Sequence, residues 1–350
     1  MKARTRGRLV ITAVTATVLA FSATAATAAP RNDRGPVPGT EQLVLTDSSG
    51  GQTVIPATTF DRGRSKAHPS QRGSGRLSDL GAEAVLSPEL PSELLNLPDA
   101  GTISGAVGSE PAESDVSANS VIGDDGRYRI TATDQSPYVQ TPQITMTRSD
   151  QGGDMYICTG WLFGNRTLAT AAHCLTGGDG TVTASNIKVW FGLNGKTAVA
   201  QCGVSTSVLP TNYLNGADSR YDWAILVLNC NAGNAIGHFG YRVQDPAPAG
   251  TNWAVTGYPA DKYDSAVGYT MWAHRGSISA YSAYHWGYTI DTFGGQSGAP
   301  VWRLETGTAC GNCSIGIHTY GISPGIPVNR GNRITPAVAS AFSTYASKYP

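Results

Sequence analysis

Residues 291–300 read DTFGGQSGAP. Ser297 stands among glycines with a proline close behind, a composition that makes a tight turn rather than a helix or strand. A serine displayed on such a turn is a candidate nucleophile, but its hydroxyl reacts poorly at its own pKa and needs a base within hydrogen-bond reach. That base needs a buried carboxylate to fix its tautomer and stabilise the imidazolium. Two other stretches offer these groups. TLATAAHC (167–174) ends an apolar run at His173, and DWAILVL (222–228) places Asp222 at the mouth of another. Each alone is weak evidence. A histidine beside a strand is usually packed or solvated, an aspartate before one usually forms a turn, and Gly-Gly-x-Ser-Gly occurs in many loops. Their occurrence together, in the order His, Asp, Ser, carries the reading.

With these local sequences in this order, residues from about 140 to 335 resemble the chymotrypsin-type secreted serine proteases. The resemblance implies an all-β fold, a double antiparallel β-barrel with the active site between the barrels, followed by a C-terminal helix. It implies hydrolysis of peptide bonds through an acyl-enzyme, with His173, Asp222 and Ser297 as catalytic residues. Backbone N–H groups of Gly295 and Ser297 would form the oxyanion hole, and a Cβ at 295 would obstruct the geometry that aims the first of them.

The rest of the composition agrees with this class. Gly (42) and Pro (20) are plentiful, and runs such as YICTGWLF, NIKVWFG, WAILVL, NWAVTGY and SIGIHTYG are separated by turn residues, as in barrels and sandwiches. ITPAVASAFSTYASKY reads as a closing helix, with Pro336 in its first turn and Val338, Phe342 and Tyr345 at three- and four-residue steps. Formal net charge is zero and only 14% of residues are charged, with no basic run, which argues against a nucleic-acid partner. Protein or peptide substrates are the expected partners of a monomer. No cofactor is expected, and no cluster of His, Cys and carboxylates shows metal-ligand spacing.

The chain opens with MKARTRGR, then LVITAVTATVLAF, then Ala26-Thr27-Ala28, the pattern of a secretory signal peptide over residues 1–28. The apolar run is shorter than the ~20 residues that span a bilayer. A secreted, extracellular protein follows, with no membrane anchor. Export permits disulfides. The six cysteines allow 15 pairings, and their grouping favours Cys158–Cys174, Cys202–Cys230 and Cys310–Cys313, the last a structural staple rather than a redox pair. Residues 29–119 contain no Cys or Trp and are rich in Pro, Ser, Gly and Ala. They read as a propeptide, largely unstructured, with a disordered stalk as the alternative. The protease domain is then 120–350.

Specificity is read in two ways. Asp291, six residues before Ser297, occupies the position from which trypsin-like enzymes hold Lys or Arg. Against that, the wall strand reads IHTYG (317–321), with Thr319, Tyr320 and Gly321 where the family has a small residue, an aromatic and a glycine. His318 stands where most relatives are apolar, and Thr292 adds a hydroxyl. SVIGDDGRYRIT (120–131), DTFGGQSG, IHTYG and the terminal helix together resemble the bacterial glutamyl endopeptidases of the staphylococcal and bacillus type. That resemblance implies cleavage after Glu or Asp, with Thr292, His318, the 319–321 wall and the freed amino group near Ser120 around the substrate carboxylate. An unpaired buried Asp291 opposite an acidic substrate would cost several kcal/mol, so its carboxylate must turn away or bond to backbone N–H groups. Gln296 replaces the Asp that pairs with the new N-terminus in trypsin-like zymogens, so activation must differ. Two alternatives remain: Lys/Arg specificity through Asp291, and an inactive protease scaffold used for binding.

Overall fold

The computed structural model describes residues 42–56, 67–95, 119–248 and 250–350; the expected signal peptide lies outside them. Two large sheets dominate. In the first, the main path runs Asp154–Thr159, Gln143–Arg148, Ala184–Phe191, Ala200–Pro210, Ala224–Leu228, Thr167–Thr170, Trp161–Leu162. Its two edge strands are joined by Gly160 alone, so the sheet must curl round on itself. The AILVL strand is buried at every residue, as its unbroken apolar run requires. In the second sheet the path runs Ile278–Ala280, His285–Tyr288, Asn329–Arg333, Gly311–Tyr320, Pro300–Glu305, Trp253–Gly257, Met271–Gly276, Tyr128–Ile130. Here Ser277 links an edge strand to the penultimate strand at the far side, which curls this sheet in the same way.

Each sheet encloses its own core. Trp253, Val255, Trp286, Ile290, Val301 and Ile315 fill the second. The first extends onto the C-terminal helix Pro336–Lys348, where Phe342 stacks on Phe163 at 4.1 Å and meets Trp161 edge-on. Thr335 caps this helix by accepting the Val338 N–H, and Pro336 follows at the position where a missing N–H is harmless. The disulfides join Cys158 to Cys174, Cys202 to Cys230 and Cys310 to Cys313.

The expectation that residues 29–119 are largely unstructured is corrected for the parts described. Leu43–Asp47 and Gln52–Ile55 form a hairpin whose first strand pairs with Ala200–Pro210, in the register Leu45 opposite Pro210. The turn is built by Asp47, whose Oδ1 accepts the N–H groups of Ser49 and Gly51. Farther on, His68 stacks on Tyr241 at 4.3 Å, and Val85–Leu86 pairs with the start of Ala200–Pro210. Leu43, Leu45, Ile55 and Leu80 are buried in the first barrel's core, and Leu90 and Leu94 in the cluster around Tyr258 and Tyr269. The physical reason is simple. This segment has too few apolar residues to make its own core, but these six are inserted into the cores of the barrels, where a buried leucine contributes about 1.5–3 kcal/mol, while Val54, Val85 and Leu86 stay exposed.

Candidate active site

His173 lies in the one-turn helix Ala172–Cys174, directly after the strand Thr167–Thr170. The Cys158–Cys174 disulfide and Arg148, whose Nη1 donates to the His173 carbonyl, fix this turn. Asp222 is fully buried and grips His173 twice. Its Oδ1 accepts the His173 backbone N–H at 2.9 Å, and its Oδ2 lies 2.7 Å from Nδ1. With the carboxylate accepting, the ring proton sits on Nδ1 and leaves Nε2 as a lone-pair base. Nε2 is buried and makes no hydrogen bond.

The Ser297 turn is stitched to the first barrel by Thr159. The Thr159 N–H donates to the Ser297 carbonyl at 2.8 Å, and its hydroxyl to the Gly295 carbonyl at 2.8 Å. Gly298, at φ +88°, approaches so closely that a Cβ would stand 2.1 Å from the Thr159 carbonyl oxygen and 2.3 Å from Thr170 Oγ1. The Ser297 turn therefore abuts the chain just ahead of His173. Gly295 adopts φ +95°, and a Cβ there would meet the Tyr258 carbonyl at 2.5 Å. Gln296 is buried, and its Oε1 accepts the Phe293 N–H at 3.0 Å, bracing the turn from within.

The residues expected around the substrate side chain also converge. The strand pair Asn119–Ser120 and Thr292–Phe293 sets Ser120 opposite Thr292. Thr292 Oγ1 is buried without a hydrogen-bond partner. Gly321 gives way to Ser120, whose Oγ would be 2.0 Å from a Cβ at that position. Thr319 donates to Asn332 Oδ1, and Asn332 Nδ2 donates to the carbonyls of Ser219 and Arg220, tying the pocket wall to the turn that carries Asp222. The Tyr320 ring lies 6.2 Å from that of His173. His318 is held by backbone bonds to Gly298 and Ala299, and its Nδ1 is 2.7 Å from the Tyr288 hydroxyl. The Asp291 side chain is buried and engaged by backbone. Its carboxylate accepts the backbone N–H groups of Ile122 and Gly126, each at 2.8 Å.

Burial and, secondarily, the neighbouring His173 push the His318 pKa down to about 3, against the pull of a backbone hydrogen bond to Arg330 and the charge of Asp222. An unfolded chain takes up this proton near pH 6.5 while the folded one does not, so stability falls as pH drops below that value. The slope is about 1.4 kcal/mol per unit until the folded pKa is reached. Denaturant unfolding in a Ser297→Ala background at pH 7 and 4.5 should show His318→Gln losing about 2–3 kcal/mol less than its parent. Equal acid sensitivity would refute a buried neutral His318.

Sequence reading missed Arg148, Thr159, Tyr288, Asn329 and Asn332. Each is an ordinary letter within or beside a strand, and its partner lies far along the chain. Among the described residues, no helix is long and apolar enough to cross a membrane. The one convergent group of His, Cys, Asp or Glu donors among them is Glu305, Cys310 and Cys313, and its two sulfurs are bonded to each other.

Comparison with known proteins gives the fold and the family. A model of the trypsin-like peptidase domain matches residues 158–311. The glutamyl endopeptidase of Bacillus licheniformis is 36% identical over 231 residues, covering 65% of this chain and 69% of that protein. An extracellular metalloprotease of Bacillus subtilis is 34% identical over 232 residues, covering 66% and 71%. A solved Glu endopeptidase in complex with MPD is 30% identical with a TM-score of 0.56, over 65% of this chain and 99% of its own. The chain therefore has the chymotrypsin-like fold and belongs to the trypsin-like peptidase family, as a serine endopeptidase of its glutamyl endopeptidase branch.

Proposed function

We propose that the chain is a secreted endopeptidase that cleaves after Glu, or Asp, with His173, Asp222 and Ser297 as its triad. The observation that carries the catalytic part is the double grip of Asp222 on His173, with the Ser297 turn packed against the same segment. Nε2 of His173 removes the Ser297 hydroxyl proton as Oγ attacks the scissile carbonyl. The oxyanion that forms is stabilised by the N–H groups of Gly295 and Ser297. Collapse expels the amine, which takes the proton from His173 and leaves an acyl-enzyme. Water, deprotonated by His173, then releases the acid.

For specificity, the supporting observation is that Asp291 already accepts two backbone N–H groups and so presents no free anion to Lys or Arg. Burial keeps His318 neutral and Tyr288 protonated, and with the Tyr288 hydroxyl taken as the donor to Nδ1 the imidazole proton sits on Nε2. That N–H and the Thr292 hydroxyl are the donors for a substrate carboxylate. The same surroundings suit a packed core histidine, so His318→Val decides between them. A charge-assisted hydrogen bond is worth roughly 1.5–3 kcal/mol, so kcat/KM for Glu peptides should fall about 10- to 100-fold with apolar peptides spared. Unchanged Glu cleavage would return His318 to the core. Mapping cleavage sites on a denatured protein by mass spectrometry tests the preference itself, and predominant cuts after Lys or Arg would overturn it.

In this reading residues 1–28 direct export, 29–119 form a pro-segment cut near Asn119–Ser120, and 120–350 are the mature protease, acting alone on protein or peptide substrates. Three disulfides suit the oxidising destination.

A further inference from the structure

We propose that Asp291 is a positioning residue: it seats residues 120–126, the proposed mature chain start, against the specificity pocket and through that segment sets the preference for an acidic side chain. This rests on the glutamyl reading above. The position that would read a cation in a trypsin-like pocket serves here as an acceptor for the enzyme's own backbone.

The contacts are specific. Asp291 is 1% exposed. Oδ1 accepts the Ile122 N–H and Oδ2 the Gly126 N–H, so one carboxylate closes the intervening loop of chain. The Asp291 N–H donates to His274 Nδ1 at 2.7 Å, which fixes the carboxylate's own backbone. A Cβ at position 126 would stand 2.6 Å from His274 Nε2 and 3.3 Å from Asp291 Oδ2, so any larger residue there would have to push the His274 ring aside. Both ends of the loop are held as well. Asn329 Nδ2 donates to the carbonyls of Ser120 and Ile290, each at 2.7 Å, tying the chain start to the residue before Asp291. At the other end the buried Arg127 guanidinium bridges Asp125 and Asp261.

The segment so held is not a remote brace. Its first residue, Ser120, faces Thr292 across the strand pair and fills the space left by Gly321. Displacing it moves the donors around the substrate side chain and, once the chain is cut, the new amino group. A misplacement of about 1 Å can cost 100-fold in a site that depends on preorganisation. These contacts are made in the uncut chain, so the seat precedes processing, unlike an ion pair that forms only with a free N-terminus.

The test uses enzyme made as the full chain and allowed to process, in parent, Asp291→Ala and Asp291→Asn forms. Peptides identical except for Glu, Gln or Leu before the scissile bond give kcat and KM, and hydrogen exchange gives protection of the Ile122 and Gly126 amides. Asp291→Ala should raise KM for the Glu peptide at least about tenfold, with a smaller change in kcat, and lower the Glu-to-Gln ratio by a similar factor. Both amides should lose protection. Asp291→Asn, which keeps one acceptor and the shape, should fall between and carries the test if the alanine variant does not fold. A merely structural Asp291 would lower stability and leave the Glu-to-Gln ratio intact, and that result overturns the proposal, as does unchanged protection of the two amides. A parent enzyme without Glu preference sinks the glutamyl reading and this proposal with it; a preference that survives both substitutions sinks the proposal alone.

Discussion

Ser297→Ala is expected to lower turnover about 10⁶-fold while the protein still folds. In the proposed mechanism the hydroxyl is the attacking group, and no other side chain on the turn can replace it. The turn's shape does not depend on it: Thr159 holds the Ser297 carbonyl, Gly298 donates to the His318 carbonyl, and Ala299 donates to the Gln296 carbonyl. Glycines at 295 and 298 supply the positive φ values, and both remain. Peptide hydrolysis, measured beside a melting curve and labelling by a fluorophosphonate, checks both halves. Near-full activity in this variant would remove Ser297 from the chemistry.

Asp222→Asn should cost roughly 10⁴ in kcat with little change in backbone. The carboxylate meets two donors, the His173 backbone N–H and the ring Nδ1–H. An asparagine offers one acceptor and one donor in the same space. If its oxygen stays on the backbone N–H, its NH₂ group faces Nδ1 and forces the ring proton to Nε2. The imidazole then presents a proton to Ser297 where it must present a lone pair. Turnover against pH distinguishes this from simple loss of structure, since hydroxide can partly substitute for the missing base and activity should recover at high pH. A variant within tenfold of its parent at neutral pH would show that Asp222 does not set the tautomer.

The chemistry was more legible than the architecture that holds it. Ser297, His173 and Asp222 could be proposed as a triad because nucleophile, base and orienting acid demand particular residue types in particular surroundings. The disulfide pairs followed from cysteine grouping, and the last helix from the proline in its first turn and its apolar spacing. Thr159 was invisible because a threonine in a strand carries no sign that it will bond to a turn more than a hundred residues later. Tyr288 was hidden for the same reason, its partner being His318 on another strand. The hairpin at 43–55 did carry a signal, the β-branched and apolar stretches LVLT and QTVI around an Asp-Ser-Ser-Gly-Gly turn, but a polar neighbourhood outweighed it. Its leucines are buried in a core that lies elsewhere in the chain, and composition windows cannot register that.

The leading segment has a practical side. Strand Ala200–Pro210 is paired at both ends by residues from before position 119, at 85–86 and at 45–47. A gene trimmed to begin at Ser120 would open those stretches of backbone, with rows of unsatisfied N–H and C=O groups beside Val208 and Leu209, the template from which proteins stack edge to edge. Someone preparing this enzyme in bacteria should therefore keep the stretch that carries 43–86 and remove it only after folding, treating it as a cover that shields a sticky seam during biosynthesis.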